Sequence, residues 1–463
     1  AVLGSAEYLR RVCGTMSRSE RLEYLVSDHD EIFPDVSLMD ASILAHIPRE
    51  ANCLRTQENT FAVFAGKLGG GYAVILPFDI AAAMRDARAA NKNFYSVLER
   101  LPTERVSLVA KGEMRRLLHG ALEYLFHARN LPYAHVWYFP QGVKNVFAFR
   151  IDSDKGSRNE IDALYEVARD NDVRMSWFLD VKSHEDWLQH FAFLSGQDMG
   201  VHCYEHRVFD DFEANLKNIT AAKRKLDDAS ISASGFSAPY GMWNAGLAKA
   251  IDQIGFEYSS EFSYAYDCLP FYPSMGEHTF GTLQVPVHPI CIGSLRRVGY
   301  TESQMKEYFR RVIDEKLLHN DPLFFYHHPT HHCWEVMECI FRCIKEKGIE
   351  NITLLEYARW WKKRLTSSFT CTFENSRLIV NSEKPSEDTV WLRVSRSSNE
   401  EAIVPLTRDI VARDIDLHAL PWKVRTRAAV PPDIRRIREF DPRSKMGELI
   451  TSLTRKFTER RVR

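Results

Sequence analysis

Carboxylates and imidazoles stand directly after short apolar runs in this sequence. Asp152 and Asp154 end the segment VFAFRIDSD, and their spacing of two places them on one face of an extended strand. One such carboxylate can bind a cation while the other accepts a proton from water beside that charge. A solvated pair at a strand end, or a helix cap, would give the same Asp-x-Asp pattern.

Two histidines follow the apolar run MGV with three residues between them. His202 and His206 would lie on one side of the chain if the segment became helical after the strand. Two neutral imidazoles and one carboxylate form a three-ligand site with an open position for water, which is typical of hydrolytic zinc. The cysteines show no Cys-x-x-Cys spacing, so a four-sulfur structural site is excluded. Two ordinary polar histidines are the alternative.

Two further strand ends carry polar groups. In GFSAPYG, proline and glycine predict a sharp turn that aims the backbone N–H of Tyr240 at a developing oxyanion, or a turn with no further role. In FYHHP, His327 or His328 could protonate a leaving amine, and either could instead be a core or solvated residue. His331 and His332, just beyond, are interpreted as surface or loop residues.

An alternation of short apolar strands with helical stretches begins at about residue 144 and positions these groups. The strand candidates are VFAFRID, RMSWFLD, MGVHCY, ASGFSAP, FEYSSEF, LQVPVHP and LFFYHHP, with ITLLEYARWW closing the set. Helices are predicted for RNEIDALYEVARDN, FEANLKNITAAKRKLDD and ESQMKEYFRRVIDEKL. Repeated strand–helix units imply a parallel sheet. We predict an α/β fold, a distorted (β/α) barrel of about seven strands with its active site at the strand C-terminal ends.

Taken in order, these motifs resemble those of the polysaccharide deacetylase family, carbohydrate esterase family 4, over roughly residues 144–365. The resemblance implies a hydrolase that depends on a divalent cation. Zn²⁺ is the favoured ion, and Co²⁺, Ni²⁺ or Mn²⁺ are the alternatives. It also favours the second histidine of FYHHP as the acid, because that histidine directly precedes the proline. The residues implied are the base Asp152, the metal ligands Asp154, His202 and His206, the turn residue Tyr240 and the acid His328.

Two positions depart from the family's motifs. Ser237 stands where an arginine usually opens the proline-turn motif and orients the base. Arg150, two residues before Asp152 and on the same strand face, is predicted to take over that role in the catalytic site. The aspartate–tryptophan motif usual after the fifth strand has no clear counterpart, and either Glu261 or Asp267 is expected to hold the acid histidine.

We divide the chain into five regions. Residues 1–85 are expected to form an α/β accessory region with a hairpin in TFAVFAGKLGGGYAVILPFD, and residues 86–143 a helical linker with a bridging helix within 106–130. The barrel takes residues 144–365, and the turn-rich residues 366–420 predict a small β-sandwich-like module. Residues 421–463 form a basic tail whose amphipathic helix would dock on the protein itself, on a partner in a homo-oligomer, or on anionic lipid.

Composition and charge limit the classes of function. Of the 463 residues, 45% are hydrophobic and 27% charged, without a long apolar run, so a transmembrane protein is not expected. The 61 Lys and Arg nearly cancel the 62 Asp and Glu, so no global field attracts nucleic acid. Nine scattered cysteines and charges among the first residues predict a cytoplasmic protein, with peripheral contact at the inner membrane through the basic tail.

We therefore expect an enzyme that removes an N-acyl group, acetyl first, from an amino sugar in a glycan or glycan precursor. The alternatives are a hydrolase of a non-glycan amide, such as a formyl or ureido group, and a pseudo-enzyme that binds glycan without turnover. Trp243, Tyr264 and Tyr266 are candidates either for stacking on sugar rings or for core packing.

Overall fold

A computed structural model of the protein describes residues 2–3, 20–25, 38–43, 52–56, 61–94, 102–382, 390–397, 399–406 and 412–424. The amphipathic helix expected near the carboxyl end lies outside the described residues. Within the described ranges, no helix is long and apolar enough to cross a membrane. The cysteines in these ranges are all free thiols.

Eight short parallel strands form the central sheet. In chain order they are β1 (Val146–Asp152), β2 (Met175–Leu179), β3 (Asp198–Val201), β4 (Gly235–Phe236), β5 (Tyr258–Ser259), β6 (Leu283–Gln284), β7 (Leu323–His327) and β8 (Glu350–Asn351). The sheet order is β6-β5-β4-β3-β2-β1-β7, with β8 beside the start of β1. The seven candidate strands from VFAFRID to LFFYHHP supply β1 to β7, which confirms the predicted distorted (β/α) barrel.

The barrel is open between β6 and β7. Among the strands that the structure describes, no ladder joins these two. The backbone N–H of His288, just after β6, instead donates a 2.8 Å hydrogen bond to the carbonyl of Phe324 in β7. The seven strands therefore curve into a partial barrel whose carboxyl ends still face one side.

Alternation along β1 separates two environments. Phe149 and Ile151 belong to the cluster of apolar side chains between the sheet and the surrounding helices. Arg150 points to the opposite face, where its guanidinium lies 5.8 Å from the ring of Phe178 and 4.8 Å from the ring of Tyr326. Because side chains alternate along a strand, Asp152 at the end of β1 shares this inner face.

Helices cover the outside of the sheet. Three predicted helices are present, at Arg158–Asp170, Phe212–Asp228 and Glu302–His319. The sequence predictions did not include the helices Ala245–Ile254 and Trp334–Glu346. Shorter helical segments are Val181–His184, Glu185–Phe193 and Ile292–Arg297.

The prediction that ITLLEYARWW is a strand was wrong. Most of the segment belongs to the helix Leu354–Thr366, and the strand that pairs with the sheet, Glu350–Asn351, ends just before it. Thr353 accepts a hydrogen bond from the backbone of Glu356, whose side chain accepts in turn from the Thr353 backbone. This Thr-x-x-Glu capping box makes the following residues begin a helix, although their composition is typical of a strand.

The amino-terminal region contains a small sheet and one long helix. Phe61–Leu68 and Gly71–Ile75 form the predicted antiparallel hairpin, flanked by Cys53–Arg55 and Val2–Leu3. The helix Lys111–His127 packs its apolar side chains into the same core as this sheet. Other elements here are the paired strands Glu20–Tyr24 and Leu38–Ile43 and the short helix Ile80–Met84.

The prediction of a helical linker over residues 86–143 is therefore incomplete. Besides the helix Lys111–His127, the region contains the antiparallel strands Ala89–Asn93 and Thr103–Ser107. It also contains the strand Tyr133–Val136, which pairs with Val390–Ser397 from the far side of the barrel. Both the amino-terminal core and the carboxyl-terminal sheets thus take elements from this stretch.

Two antiparallel sheets follow the barrel. Their strands are Phe369–Glu374, Arg377–Ser382 and Ala412–Asp416 in one sheet, and Tyr133–Val136, Val390–Ser397, Glu400–Leu406 and Lys423–Val424 in the other. Val380 from the first sheet and Val394 from the second are buried in one hydrophobic cluster. The region after the barrel is thus β-rich, with one edge strand supplied by residues that precede the barrel.

Candidate active site and metal centre

Three side chains converge at the carboxyl ends of β1 and β3. Asp154 Oδ1 lies 3.1 Å from His202 Nε2 and 3.2 Å from His206 Nε2. The two imidazole nitrogens are themselves 3.2 Å apart. Two nitrogen lone pairs and a carboxylate oxygen at such distances repel one another unless a cation or a proton lies between them.

The donor set of this site fits a divalent cation. Asp154 Oδ1 is buried and makes no hydrogen bond. Burial opposes ionisation of Asp154, but His206 and His202 outweigh it and hold the pKa of this carboxyl well below its usual range. Two imidazoles and an ionised carboxylate are the ligands of hydrolytic zinc sites, so Asp154, His202 and His206 are suited to hold such an ion.

A backbone contact fixes the tautomer of His202. The Nδ1–H of its ring donates a 2.8 Å hydrogen bond to the carbonyl of Ser237, just beyond β4. The lone pair is thereby left on Nε2, the atom that faces Asp154. Such a contact behind a ligating histidine orients the ring and raises its basicity.

His206 reaches the site by a route other than the predicted helix. Residues after β3 form bends, and Cys203 adopts a left-handed backbone with φ +67°. The buried side chain of Asn218 holds the loop, since its Nδ2 donates to the carbonyls of Glu205 and Arg207 and its Oδ1 accepts from the Glu205 N–H at 2.7 Å. The two imidazoles converge as expected. Their convergence depends on Asn218 of the helix Phe212–Asp228, which follows the loop, and not on a helix that contains His206.

The candidate base is anchored by its own strand. Arg150 is fully buried and donates a 2.6 Å hydrogen bond from Nη2 to Asp152 Oδ2. Its Nη1 donates to the backbone and side-chain oxygens of Ser260, at 2.6 and 3.0 Å. Ser237 Oγ lies 3.5 Å from Asp152 Oδ1, so the residue at the position of the missing arginine still touches the carboxylate.

Of the two histidines in FYHHP, His328 faces the site. Its Nε2 lies 3.6 Å from Asp154 Oδ2. His327 is fully buried on the outer side of β7, where its Nε2–H donates to the carbonyl of His332 and burial lowers its pKa to about 3. Burial also opposes the charged form of His328, but Cys291 and the carboxylates of Asp154 and Asp152 raise the pKa of His328 to about 9.

Glu261 and Asp267, the two carboxylates expected to hold His328, have other partners. Asp267 instead accepts a 2.9 Å hydrogen bond from His288 and pairs with Lys316. Glu261 accepts from Gln284 at 2.6 Å. Both carboxylates are thus engaged by other side chains, and neither takes the place behind His328 that was expected for Glu261 or Asp267.

Cys291 and His331 occupy that place. A ring nitrogen of His328, a ring nitrogen of His331 and Cys291 Sγ all lie within 4.8 Å of one another. Burial opposes ionisation of Cys291, but the two imidazoles outweigh it and hold the pKa of the thiol well below its usual range. His331 lies, as expected, in the loop after β7, but it is half-buried and faces Cys291 and His328. The His-x-x-His spacing of His328 and His331 was the signal available in the sequence.

Tyr240 lies at the mouth of the site. It sits in the turn Pro239–Gly241 with φ +58°, and its side chain is 42% exposed. Its ring stands edge-on to His206, with the ring centres 5.1 Å apart. Trp243, Tyr264 and Tyr266 are instead buried, so the core-packing interpretation holds for those three rings.

The loops that carry Asp154 and His328 touch directly. Gly156 approaches Pro329 so closely that a β-carbon at position 156 would lie 2.8 Å from the Pro329 side chain. Ser153, between the two aspartates, accepts from the Asp180 N–H and contacts His184 Nε2, both at 2.9 Å. The contact between Gly156 and Pro329 holds the loop of Asp154 against the loop of His328, and the Ser153 contacts tie the loop of Asp154 to the end of β2.

The fold and the site define an open (β/α)-barrel protein with a candidate cation site beside an anchored carboxylate. No known family profile and no curated protein matches the sequence significantly. Solved structures resemble it more distantly. A protein from Mycobacterium smegmatis assigned as a polysaccharide deacetylase is 15% identical, with a TM-score of 0.42 over 52% of this chain and 98% of its own.

Two family 4 carbohydrate esterase structures are also similar. The enzyme from Streptomyces lividans, solved in complex with acetate, is 12% identical with a TM-score of 0.32, over 45% of this chain and 91% of its own. A pseudoenzyme of the same family from Bacillus anthracis is 15% identical with a TM-score of 0.36, over 60% of this chain and 93% of its own. Since these values are too low to transfer a function, the function of this chain is inferred from its own residues.

Proposed function

We propose that this protein is a metal-dependent amide hydrolase that removes an N-acyl group, acetyl first, from an amino sugar in a glycan or glycan precursor. The observation that carries the proposal is the convergence of Asp154, His202 and His206 between an anchored carboxylate and an imidazole. A cation site needs only ligands. Hydrolysis of an amide needs in addition a base for water and an acid for the departing amine, and this site provides both.

Each step has a residue suited to it. A divalent cation held by Asp154, His202 and His206 supplies Lewis acidity that polarises an acyl carbonyl and makes water a nucleophile near neutral pH. Asp152 accepts the proton of the attacking water, because Arg150 holds its carboxylate facing the barrel interior. His328 donates a proton to the departing nitrogen, because its Nε2 faces the site 3.6 Å from Asp154 Oδ2.

The substrate side is assigned to the turn after β4. The peptide N–H of Tyr240 is proposed as the donor that stabilises the oxyanion of the tetrahedral intermediate. The exposed ring of Tyr240, next to His206, presents an aromatic face on which a sugar ring can stack. An amino sugar combines an apolar ring face with an amide, which suits this arrangement better than a peptide does.

Metal content and acetate release together test the proposal. The protein is purified without added metal, and its metal is measured by plasma mass spectrometry beside the variants Asp154→Ala and His202→Ala. We expect one tightly bound equivalent in the wild type and its loss in both variants. Acetate release from N-acetylglucosamine oligomers should fall with the metal. His278→Ala, an exposed histidine outside the site, serves as the matched control.

Other outcomes separate the alternatives. Bound metal with release from N-formyl or ureido compounds, and none from acetylated sugars, would assign the site to a non-glycan amide. A folded protein that takes up no metal even after soaking would contradict the proposal and indicate a glycan-binding pseudo-enzyme.

A further inference from the structure

A second cluster of metal-ligating groups adjoins the first. Cys291 Sγ and one ring nitrogen each of His328 and His331 lie within 4.8 Å of one another. The Nδ1 atoms of both rings are buried and make no hydrogen bond. Three donors this close can contact one cation with small side-chain adjustments, and such an ion would satisfy two buried ring nitrogens that otherwise have only the Cys291 thiol nearby.

The backbone is shaped to bring His331 into this cluster. A β-carbon at Gly293 would lie 2.0 Å from His331 Nδ1, so only glycine allows the ring to pack there. Arg296 donates a 2.9 Å hydrogen bond from Nη1 to the carbonyl of His331, which ties the loop to the helix Ile292–Arg297. His331 is thus positioned by two independent contacts.

The sulfur has a supporting shell of its own. Ser294 Oγ lies 3.4 Å from Cys291 Sγ, and Arg297 donates a 3.0 Å hydrogen bond to the same Ser294 oxygen. Because arginine can only donate, the serine hydroxyl hydrogen is available to the sulfur. Hydrogen bonds of this kind orient and tune thiolate ligands. Cys291 is only 1% exposed, so its sulfur lies out of reach of a substrate.

We propose that Cys291, His328 and His331 form a second cation site, selective for soft divalent ions such as zinc, whose filling withdraws His328 from catalysis. The ligand set differs from that of the first site by its sulfur, which favours thiophilic ions. The inhibitory half of this inference rests on the proposed function, in which His328 is the acid. The cation site itself does not.

Ligation and acid catalysis exclude each other at His328. A histidine that binds a cation donates a ring lone pair, whereas the imidazolium that protonates a leaving amine has no lone pair to give. Since His328 Nε2 lies 3.6 Å from Asp154 Oδ2, the same ring stands between the two sites. Filling of the first site therefore activates the enzyme, and filling of the second site inhibits it.

Cobalt distinguishes the two sites without any substrate. The first site offers only nitrogen and oxygen, so a sulfur-to-cobalt charge-transfer band in the near ultraviolet reports Cys291 alone. When metal-free, full-length protein is titrated with Co²⁺, we expect two bound equivalents and this band in the wild type. Cys291→Ser should bind one equivalent and lack the band, whereas Asp154→Ala should bind one and retain it.

Two further variants distinguish loss of the second site from misfolding of the protein. Cys268→Ser changes another buried thiol and should keep both equivalents and the band. Gly293→Ala keeps the cysteine but displaces His331, and it should lose the second equivalent as Cys291→Ser does. A wild type that shows no band when the first site is saturated would overturn the second site.

The inhibitory role is tested by zinc in excess. Each protein is compared with its own acetate release at one equivalent. The rate of acetate release by the wild type should fall about 100-fold when the second site is filled, because a general acid contributes about that much to the rate. Cys291→Ser should lose none. A wild type with the cobalt band but equal activity at one and two equivalents refutes inhibition. If no acetate is released at any metal loading, the proposed function and the inhibition are both contradicted. The cobalt charge-transfer band would then still show whether the second cation site exists.

Discussion

Arg150 donates a 2.6 Å hydrogen bond to Asp152, the carboxylate two residues ahead of it on the same strand. A β-strand brings residues i and i+2 to one face, so the candidate base and the guanidinium that holds it come from a single element. The other guanidinium nitrogen is held by Ser260 after β5, which prevents the pair from rotating. In the family that the motifs resemble, the orienting arginine comes from the proline-turn strand instead.

Replacement of Asp152 should separate catalysis from metal binding. Asp152→Asn keeps the shape of the side chain but removes the proton acceptor, so turnover should fall about 100-fold or more. Metal content should stay at the wild-type level, because Asp152 is not among the three converging ligands. Acetate release and plasma mass spectrometry on the same preparation check this. Loss of metal in Asp152→Asn would show that the roles of Asp152 and Asp154 are assigned wrongly.

Replacement of Arg150 should affect the rate through the position of Asp152. Arg150→Lys keeps a positive charge but cannot form both the Asp152 and the Ser260 contacts, so we expect turnover to fall about 10-fold with metal retained. Ser237→Ala is the matched control, because its oxygen lies 3.5 Å from Asp152 and contributes only a weak hydrogen bond. An equal loss of turnover in both variants would argue against a specific role for the guanidinium.

Asn218 is expected to control the metal affinity of a loop that it does not belong to. Asn218→Ala leaves the Glu205 N–H and two carbonyls of the His206 loop without their partner, which costs about 1–3 kcal/mol for each buried unsatisfied group. Mispositioning of His206 should weaken metal binding about 10- to 100-fold. Competition with a chelator measures this affinity.

A second asparagine provides the control for Asn218→Ala. The side chain of Asn171 donates a 2.8 Å hydrogen bond to the carbonyl of Val167, at the end of the helix Arg158–Asp170. Asn171→Ala should lower the free energy of unfolding slightly and leave metal affinity unchanged. Equal affinity in Asn218→Ala and the wild type would show that His206 holds its position without the asparagine.

The elements that place the ligands were readable from local sequence. Each of β1 to β7 is a short apolar run followed by a polar residue or a turn, and parallel strands bring their carboxyl ends to one edge. That rule alone predicts that Asp154 and His202 meet. The route of His206 was not readable, because Asn218 on a helix sets it through contacts 11 to 13 residues away.

Contacts between distant segments account for what the sequence missed. Cys291 and His331 lie 40 positions apart and meet only because the loop after β6 folds against the loop after β7. The strand Tyr133–Val136 is assigned by its partner Val390–Ser397, which lies beyond the whole barrel. Tertiary pairing of this kind leaves no local signal in the sequence. The missed helix that begins at Leu354 did have a local signal, the capping box of Thr353 and Glu356.

Glu261 should make the folded state sensitive to pH near neutrality. Its burial raises its pKa to about 7, with the hydrogen bonds from Gln284 and Ser259 opposing that effect only in part. The folded state therefore favours the neutral acid, so its stabilising contribution is complete below pH 4.5 and is lost as pH rises toward 7. A change in pKa from 4.5 to about 7 corresponds to about 3 kcal/mol.

The variant Glu261→Gln removes this titration. The urea midpoint of the wild type, relative to that of Glu261→Gln, should decrease between pH 5 and pH 7 and then level off. Glu257→Gln is the control, because Arg359 lowers the pKa of Glu257 and its titration is complete below this range. A wild-type midpoint that runs parallel to that of Glu261→Gln from pH 5 to pH 7 would contradict burial of an ionisable Glu261.

Gly156 should govern the rate by keeping the acid loop against the metal-binding loop. In Gly156→Ala, the new β-carbon would lie 2.8 Å from Pro329 and 2.9 Å from the Ser153 carbonyl, so the loop of His328 must move away from Asp154. A displacement of about 1 Å lowers rates about 100-fold in well-oriented sites. We therefore expect turnover to fall while metal content stays at the wild-type level. Gly70→Ala, where a β-carbon meets no atom within 4 Å, is the control. Unchanged turnover in Gly156→Ala would show that His328 acts without a fixed distance to the metal loop.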